Sequence, residues 1–314
     1  MIKIDLHIHS KASEYKESRG QVDQSDADHI DVLLEKLNSN QVNMFSITDH
    51  NRFDSNLYKK IDEELSKHKY PHVQSLLAGV EFDVCFEEGY DPCHVIVIFD
   101  AKNDEEKYQR IEKSINADLL ERPNDYYSKD RFEGILRNIG LPVILIAHQK
   151  CDLGKKRNAN RSLSASASNS DELIYGGYIS ALEFSRPNQE GIVKYNLREA
   201  NQIAPLISGS DCHDWNCYPN KDSRDKTKGK RLTQVEILPT FKGLHMAITS
   251  PKTRIEPKAH SCSKPIKSFW ENDREHLLKN GIIAVVGENG SGKSTILEFL
   301  YDITNGKNRT ISAL

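Results

Sequence analysis

Short apolar runs that end in metal-binding side chains recur along this chain, and they constrain its fold more than any other feature. Six of the twelve histidines lie at or near the ends of strand-like runs, with acidic companions. The blocks are His7-Ile8-His9, Thr48-Asp49-His50, Glu81, His94, His148 and Asp211-Cys212-His213. If the strand ends meet at one edge of a sheet, these distant blocks form a single site. The pattern therefore predicts a polynuclear metal site.

Strand-like and helical patterns alternate before residue 215. Ile30, Leu33, Leu34 and Leu37 recur with a helical period, whereas Val95–Phe99 is a continuous apolar run, typical of a strand covered on both faces. The predicted strands are 2–9, 42–48, 76–84, 95–99, 143–147, 181–184 and 206–208. Further helices are predicted at 54–68, at 104–139 with a break near Pro123, and at 189–201. The alternation predicts parallel pairing and an α/β fold of about seven β/α units in a closed or nearly closed barrel.

Composition and charge exclude several classes of protein. The chain has 314 residues, of which 37% are hydrophobic and 28% charged, and no apolar run approaches the roughly 20 residues of a membrane span. The net charge of −3 leaves nucleic-acid binding to local basic patches. Six scattered cysteines without a Cys-x-x-Cys pair disfavour a disulfide framework or a zinc knuckle. We expect a cytoplasmic protein with no membrane partner.

The spacing of the candidate ligands suits metal binding. Residues i and i+2 of a strand share a face, so His7 with His9, and Asp211 with His213, can each hold one ion. Glu81 can bridge two ions through its two oxygens. Mixed imidazole and carboxylate ligands suit Zn, Mn or Fe better than Ca or Mg. A lone histidine is more often a structural residue, but the clustering at strand ends favours a metal site.

In order along the chain, the motifs HxH, TDHN, GxE, H, H and DxH resemble those of the PHP family of polymerase and histidinol phosphatase domains, over about residues 1–255. The resemblance implies a distorted (β/α)7 TIM-like barrel with two or three divalent metals that hydrolyses phosphomonoesters or phosphodiesters. It also implies that His7, His9, Glu81 and Asp211 hold one metal at the catalytic centre, that Glu81, His94 and His148 hold a second, and that His50 and His213 hold a third. A further ligand usually follows HxH, and Glu14 is the candidate here. Asp5 and Asp49 would orient histidines, or else make ordinary hydrogen bonds at a turn or strand end.

A second motif lies near the end of the chain. Gly287–Ser294 matches G-x-x-x-x-G-K-[ST] between an apolar strand-like run, 282–286, and a predicted helix from Lys293. Such a loop wraps phosphate oxygens with backbone N–H groups at a helix N-terminus. The predicted nucleotide-binding residues are Gly287, Asn289, Gly290, Gly292, Lys293, Ser294 and Thr295, with ATP and Mg as ligands in the complete protein. The motif resembles the Walker A of ABC and SMC-type ATPases.

The two motifs predict three segments. Residues 1–255 form the metal-dependent phosphoesterase domain, 256–267 a linker, and 268–314 the first part of an ATPase domain. The chain ends at Leu314, before any Walker B aspartate or signature motif, so we expect a fragment of a longer polypeptide. With Pro239–Leu244 between them, the two parts resemble bacterial PHP–ATPase fusions linked to DNA processing and antiphage defence. That resemblance implies a nuclease gated by an ATPase, and homo-oligomers through the complete ATPase.

Three functions remain open from the sequence. In the first, the chain is a nuclease in which metal-activated water attacks DNA or RNA phosphodiesters, with the basic segments 150–170 and 221–231 near the barrel mouth. The second is a small-molecule phosphomonoesterase with Arg186 as a phosphate-binding cation, although a turn residue is the more ordinary role for Arg186. The third is a non-catalytic PHP scaffold, which the eight candidate ligands disfavour.

Overall fold

The computed structural model describes residues 1–16, 24–149, 161–184, 204–225 and 232–256, and also 268–271, 274–277, 294 and 296–297. The chain divides into two compact units, Met1–Pro257 and Lys258–Leu314. Several predicted features lie outside the described residues: Arg186, the helix at 189–201, the basic stretches 150–160 and 226–231, and nearly all of the linker.

A single curled sheet organises the described part of the first unit. Its main path has the order β8-β7-β6-β4-β3-β2-β1-β9, and β5 pairs with β3. The seven predicted strands all form, with ends shifted by one or two residues, whereas β5 and β9 were not predicted. The strands are β1 (Ile2–Ile8), β2 (Val42–Ile47), β3 (Ser75–Cys85), β4 (Cys93–Phe99), β5 (Tyr127–Ser128), β6 (Val143–His148), β7 (Ala181–Glu183), β8 (Leu206–Ile207) and β9 (Gln234–Val235).

Strand direction departs from the prediction at β4. β1, β2 and β3 pair in parallel, as do β6, β7 and β8, but β4 is antiparallel to both β3 and β6. Only residues 86–92 join β3 to β4, too few for the crossover of a dozen or more residues that parallel strands need. The reversal brings the amino end of β4, with His94 opposite Asp83, to the edge where β3 ends.

Beyond β8 the chain returns to β1 and curls the sheet. Cys212 forms a parallel bridge with Ile8, and its carbonyl accepts a hydrogen bond from the His9 N–H at 2.8 Å. Ser210 donates its backbone N–H to Asp5 at 3.0 Å and its hydroxyl to the His7 carbonyl at 3.1 Å. The residues after β8 therefore lie beside the end of β1, which gives a mixed α/β fold with a curled sheet.

Helices cover the outer face of this sheet. Asp54, Asp104 and Ser128 begin three of them, because their side chains accept a hydrogen bond from the backbone N–H three residues on. The predicted helical region 104–139 is two helices: the first ends before Pro123, and Gly140 ends the second with a φ of 61°. The α-helices are α1 (Ile30–Ser39), α2 (Ser55–Ser66), α3 (Glu105–Asn116), α4 (Lys129–Ile139), α5 (Ser170–Tyr175), α6 (Phe241–Thr249) and α7 (Pro251–Arg254).

Alternating residues of the strands build two apolar clusters. Along β4, Val95, Val97 and Phe99 belong to the outer cluster under the helices, whereas Ile96 and Ile98 belong to the inner cluster, which α6 covers. Both faces are buried, as the continuous apolar run predicted. On β3, Leu77 belongs to the inner cluster, and with a period of two Glu81 and Asp83 continue that face toward the end of the strand.

Little of the second unit is described. β10 (Ser268–Glu271) and β11 (Arg274–Leu277) form an antiparallel pair. Ser294 is helical and exposed, and Ile296 and Leu297 are helical too. The other predicted nucleotide-binding residues lie outside the described residues: Gly287, Asn289, Gly290, Gly292, Lys293 and Thr295. Across the described parts of the chain, we find no helix with the length and apolar character that crossing a membrane requires.

Candidate metal centre

The HxH pair forms the centre of the site. His7 and His9 lie at the end of β1 and are 1% and 0% exposed. Their Nε2 atoms lie 3.0 Å apart. The Nδ1 of His7 contacts the Glu183 carboxylate at 2.9 Å, and the Nδ1 of His9 contacts the Ser13 hydroxyl at 3.1 Å. These partners fix both rings with Nε2 pointing into the site.

Two carboxylates complete this part of the site. Glu81 oxygens lie 3.5 Å from His7 Nε2 and 3.6 Å from His9 Nε2. Asp211 Oδ1 lies 3.7 and 3.6 Å from the same two nitrogens. Ligand atoms that share one ion at about 2.1 Å lie roughly 3.0–3.5 Å from each other. The four side chains therefore fit one divalent ion with little movement.

Electrostatics at the pair favour a cation. Burial lowers the pKa of His7, but Glu183 and Glu81 outweigh that effect and raise it well above its usual value. Burial and the neighbouring imidazoles of His213 and His50 lower the pKa of His9 well below its usual value. The carboxylates around His7 therefore favour positive charge at this point, which a metal ion would supply.

Glu81 connects this pair to further histidines. Its oxygens lie 2.7 Å from His50 Nδ1 and 2.5 Å from His94 Nδ1. Burial raises the pKa of Glu81, yet His94, His50 and His7 hold it well below its usual value. The carboxylate is therefore ionised and lies between two sets of nitrogen donors. A carboxylate that bridges two ions needs this position.

All eight predicted ligands lie in one cluster. Seven of them, all but His213, fall together with Asp83 in four groups whose side-chain donor atoms come within 4.8 Å of one another. His213 joins them through Asp211, whose Oδ1 lies 2.9 Å from His213 Nε2. Two of the four groups match the sets that the PHP resemblance implies: His7, His9 and Asp211, with Glu81 beside them, and the complete set Glu81, His94 and His148.

The implied third set, His50 and His213, stays a prediction. The rings of His50 and His213 are 6.2 Å apart. His50 groups with His9 and Glu81, or with Asp83 and His94, whereas His213 Nε2 contacts Asp211 at 2.9 Å. Glu14, the expected further ligand, is exposed and lies outside all four groups. The side chain from this loop that lies inside the site is Ser13, which is fully buried.

Asp211 has an unusual backbone and a charged neighbour. Its φ is 50°, a left-handed conformation that Asp and Asn tolerate better than most residues. Lys221 Nζ lies 2.9 Å from Asp211 Oδ2. Burial raises the pKa of Asp211, but Lys221, His213 and His9 hold it well below its usual value. Asp211 is thus an anion with one oxygen toward the histidines and one toward a lysine.

Asp5 and Asp49 support the loops around the site. Asp49 accepts hydrogen bonds from the Ser10 N–H at 2.6 Å and from the Ser13 hydroxyl at 2.7 Å, so it orients His9 through Ser13. Asp5 accepts from the His7 N–H at 3.2 Å and from the Tyr218 hydroxyl at 2.8 Å. Asp5 therefore takes the strand-end hydrogen bonds that the sequence left open as its second possible role.

Several residues of the site were not selected from the sequence. Glu183 could have been, because it is an acidic residue at the end of a predicted strand, as the selected ligands are. Asp83 lies two residues beyond Glu81 and therefore shares its face. No sequence signal marked Lys16, whereas Arg161 belongs to the basic segment 150–170 that the sequence predicts near the barrel mouth. The charged groups of both contact the Asp83 carboxylate.

Comparisons with known proteins give remote likenesses. A family model described as an AAA domain matches residues 264–313. A search of curated proteins finds no match for this chain.

Two similar solved structures are of proteins described as metal-dependent phosphoesterases. One is a two-domain protein from Bacteroides vulgatus with a predicted PHP-like metal-dependent phosphoesterase: 16% identity, TM-score 0.46, covering 79% of this chain and 62% of that one. The other is a protein from Bifidobacterium adolescentis assigned as a metal-dependent phosphoesterase: 11% identity, TM-score 0.42, covering 79% and 96%. A third is an amidohydrolase from Chromobacterium violaceum with bound sulfate: 12% identity, TM-score 0.40, covering 68% and 88%. At these identities and scores, the activity of this chain rests on its own side chains.

Proposed function

We propose that this chain is a metal-dependent phosphoesterase of the PHP type, with a distorted (β/α)7 barrel, that acts as a nuclease on DNA or RNA phosphodiesters. The observation that carries the proposal is the convergence of His7, His9, Glu81 and Asp211 on one point, with Glu81 shared with His94 and His148. Imidazole and carboxylate donors of this kind suit Mn, Zn or Fe.

The residues of the chain prepare the site for charge. Two ions held here would provide hydroxide near neutral pH and offset the negative charge that develops on a phosphate group. Glu183 and Ser13 hold the Nδ1 atoms of His7 and His9, so that their Nε2 atoms face inward. Partners that fix a ligand in this way commonly contribute 10- to 100-fold in metal affinity or activity, roughly. His7, His9 and Glu81 are at most 1% exposed, so bulk water has little access to these three side chains.

The segment that resembles an ATPase favours a nuclease over a phosphatase for small molecules. Residues 264–313 match an AAA domain, and the P-loop at 287–294 would bind ATP and Mg in a complete protein. An ATPase fused to a phosphoesterase can couple nucleotide binding to cleavage of a polymer. We infer a role in DNA processing or antiphage defence, with nucleic acid and ATP as partners and with homo-oligomers through the complete ATPase.

The test is cleavage of nucleic acid with a matched variant. Purified protein with Mn²⁺ should degrade end-labelled single- or double-stranded DNA, and Asp211→Asn should abolish the cleavage. Asn tolerates the φ of 50° at this position, so the variant should keep its circular dichroism spectrum and melting temperature. Intact DNA together with hydrolysis of a chromogenic phosphomonoester would favour the phosphatase. Equal turnover by wild type and Asp211→Asn would contradict the assignment of this site.

A further inference from the structure

Asp83 lies beside the metal centre and has two cationic partners. Its side chain is 0% exposed, and the ammonium of Lys16 and the guanidinium of Arg161 both contact its carboxylate. Lys16 contacts Oδ2, whereas Arg161 contacts Oδ1. A single buried carboxylate therefore faces two cationic side chains.

The surroundings of Asp83 hold it rigidly. Asn51 donates its side-chain N–H to Asp83 Oδ2 at 2.6 Å and accepts the Asp83 backbone N–H at 2.8 Å. His94 Nε2 lies 3.3 Å from Oδ1, and its Nδ1 contacts Glu81. The His94 ring thus lies directly between the two carboxylates. Lys16 and Arg161 both contact Asp83, and Asp83 in turn contacts His94, a predicted metal ligand.

Arg161 is tied to the same strand through its backbone. Its carbonyl accepts a hydrogen bond from the His94 N–H at 3.1 Å, and it forms a bridge with Cys93. Its φ is 66°, a conformation that costs free energy for a residue with a side chain and often marks a functional position. The Arg161 side chain is 27% exposed and that of Lys16 is 7%, so the pair extends from the buried carboxylate toward solvent.

The charge balance implies a ligand. Removing charges from water is costly unless they are neutralised, and a single carboxylate neutralises only one of the two cations. A guanidinium carries five N–H donors and an ammonium three, more than the contacts with Asp83 use. Phosphate oxygens complement this arrangement, because Arg forms paired, charge-assisted hydrogen bonds with them.

We propose that Lys16 and Arg161, positioned by Asp83, form a phosphate-binding subsite beside the metal centre. The inference rests on the proposed function. It places a phosphate group of the substrate against two cationic side chains, on the side of the site where β3 ends. The subsite takes the phosphate group that is cleaved or its neighbour along a polymer. Asp83 is a positioning residue, whereas Lys16 and Arg161 contact the substrate.

The test measures binding of inorganic phosphate directly, by calorimetry on metal-loaded protein with the metal content determined in parallel. Lys16→Met and Arg161→Met should each weaken phosphate binding by about tenfold to a hundredfold, the usual range for a hydrogen bond to a charged group. Lys16→Arg should keep most of the affinity. The double variant Lys16→Met/Asp83→Asn removes one positive and one negative charge together, so its net charge equals that of the wild type. It should fold, and it should still bind phosphate weakly through Arg161. Lys11→Met is the matched control, since Lys11 is 45% exposed.

The outcomes separate this subsite from the proposed function. Unchanged phosphate affinity in folded variants with the metal content of the wild type would overturn the inference, as would a wild type that does not bind phosphate. If Lys16→Met bound an additional metal ion and kept its phosphate affinity, the Lys16 ammonium would occupy the place of a metal ion. That result would also overturn the inference. If the variants lose phosphate but the wild type hydrolyses no phosphoester, the subsite stands and the proposed function fails.

Discussion

Glu81 and Asp83 lie two residues apart on the same face of β3, yet they have different surroundings. Both are at most 1% exposed, and burial raises the pKa of both while their partners hold it below the usual value. Glu81 is surrounded by imidazoles, with His50 and His94 at 2.7 and 2.5 Å. Asp83 contacts Lys16 and Arg161, which are permanently charged.

The difference shows two ways of neutralising a buried carboxylate. An imidazole near its ordinary pKa can be neutral and can donate a lone pair to a metal ion. An ammonium or guanidinium cannot coordinate a metal while it is protonated. Around Glu81 the positive charge is therefore exchangeable and can be supplied by ions from solution. Around Asp83 the positive charge is part of the chain.

Exchanging each carboxylate for its amide tests this contrast most strongly. Glu81→Gln should lose at least one metal ion per chain and about a thousandfold in turnover, because a metal centre contributes several kcal/mol to stabilising the transition state. Asp83→Asn should keep the metal content of the wild type. The measurements are elemental analysis and hydrolysis of a phosphodiester. Equal metal loss in both variants would remove the distinction.

Metal removal should destabilise the protein through the Glu81 side of the contrast. A ligand at 100 to 1,000 times its Kd stabilises the folded state by about 3–4 kcal/mol, which in a unit of this size raises the Tm by about 5–15 °C. A chelator should lower the Tm of the wild type by this amount. The Tm of Glu81→Gln should fall much less, and a chelator effect as large as in wild type would argue against metal binding at Glu81.

Glu183 extends the comparison to a residue that orients an imidazole ligand, His7, without being a predicted ligand itself. Its carboxylate contacts His7 Nδ1 at 2.9 Å, so Glu183→Gln should lower metal affinity by about 10- to 100-fold, in the range for residues that orient a ligand. Competition with a fluorescent chelator measures the affinity. Glu172→Gln is the control, since Glu172 is exposed. Similar affinities in the two variants would exclude this role for Glu183.

The smallest expected effect concerns the space behind the His7–Glu183 pair. A Cβ on Gly209 would lie 2.5 Å from His7 Cβ and 2.7 Å from Glu183 Oε1, so Gly209→Ala should cost about 1–3 kcal/mol of unfolding free energy and weaken metal binding. A Cβ on Gly134 in α4 meets nothing within 4 Å. Gly134→Ala should therefore stabilise the protein by up to about 1 kcal/mol, as measured by urea unfolding. A Gly209→Ala protein as stable as the wild type would show that the pair tolerates displacement.

The sequence predicted most of the strands and the cluster of ligands because those signals are local or regular. The run Val95–Phe99 reads as a buried strand by itself, and His7 with His9 share a face through the strand period. Strand direction was predicted wrongly at β4, since direction depends on whether a connection has room for a crossover. The connection between β3 and β4, residues 86–92, is too short for a crossover, whereas the alternation of strands and helices elsewhere predicted parallel pairing throughout.

The burial of Lys16 in the site could not be predicted for a different reason. Lysines and arginines are usually solvated, so Lys16 gave no reason to expect a side chain 7% exposed. Its partner Asp83 is 67 residues away in sequence, and no spacing rule relates them. Glu14 was selected as a ligand because of its position after HxH, but the loop points Glu14 outward and buries Ser13.

The reversed strand β4 also affects the order in which the site is assembled. It makes β3 and β4 a hairpin, so Glu81, Asp83 and His94 come together as soon as two neighbouring strands pair. The contact between His7 and Glu183 spans 176 residues and must wait for most of the chain, because loop-closure entropy delays distant contacts. During synthesis, Glu81, Asp83 and His94 can therefore come together first, whereas Lys16 and Arg161 lie 67 and 78 residues from Asp83 and join later, as do His7 and Glu183. A nascent chain would then acquire its full complement of ions only after β1 and the residues following β8 have met.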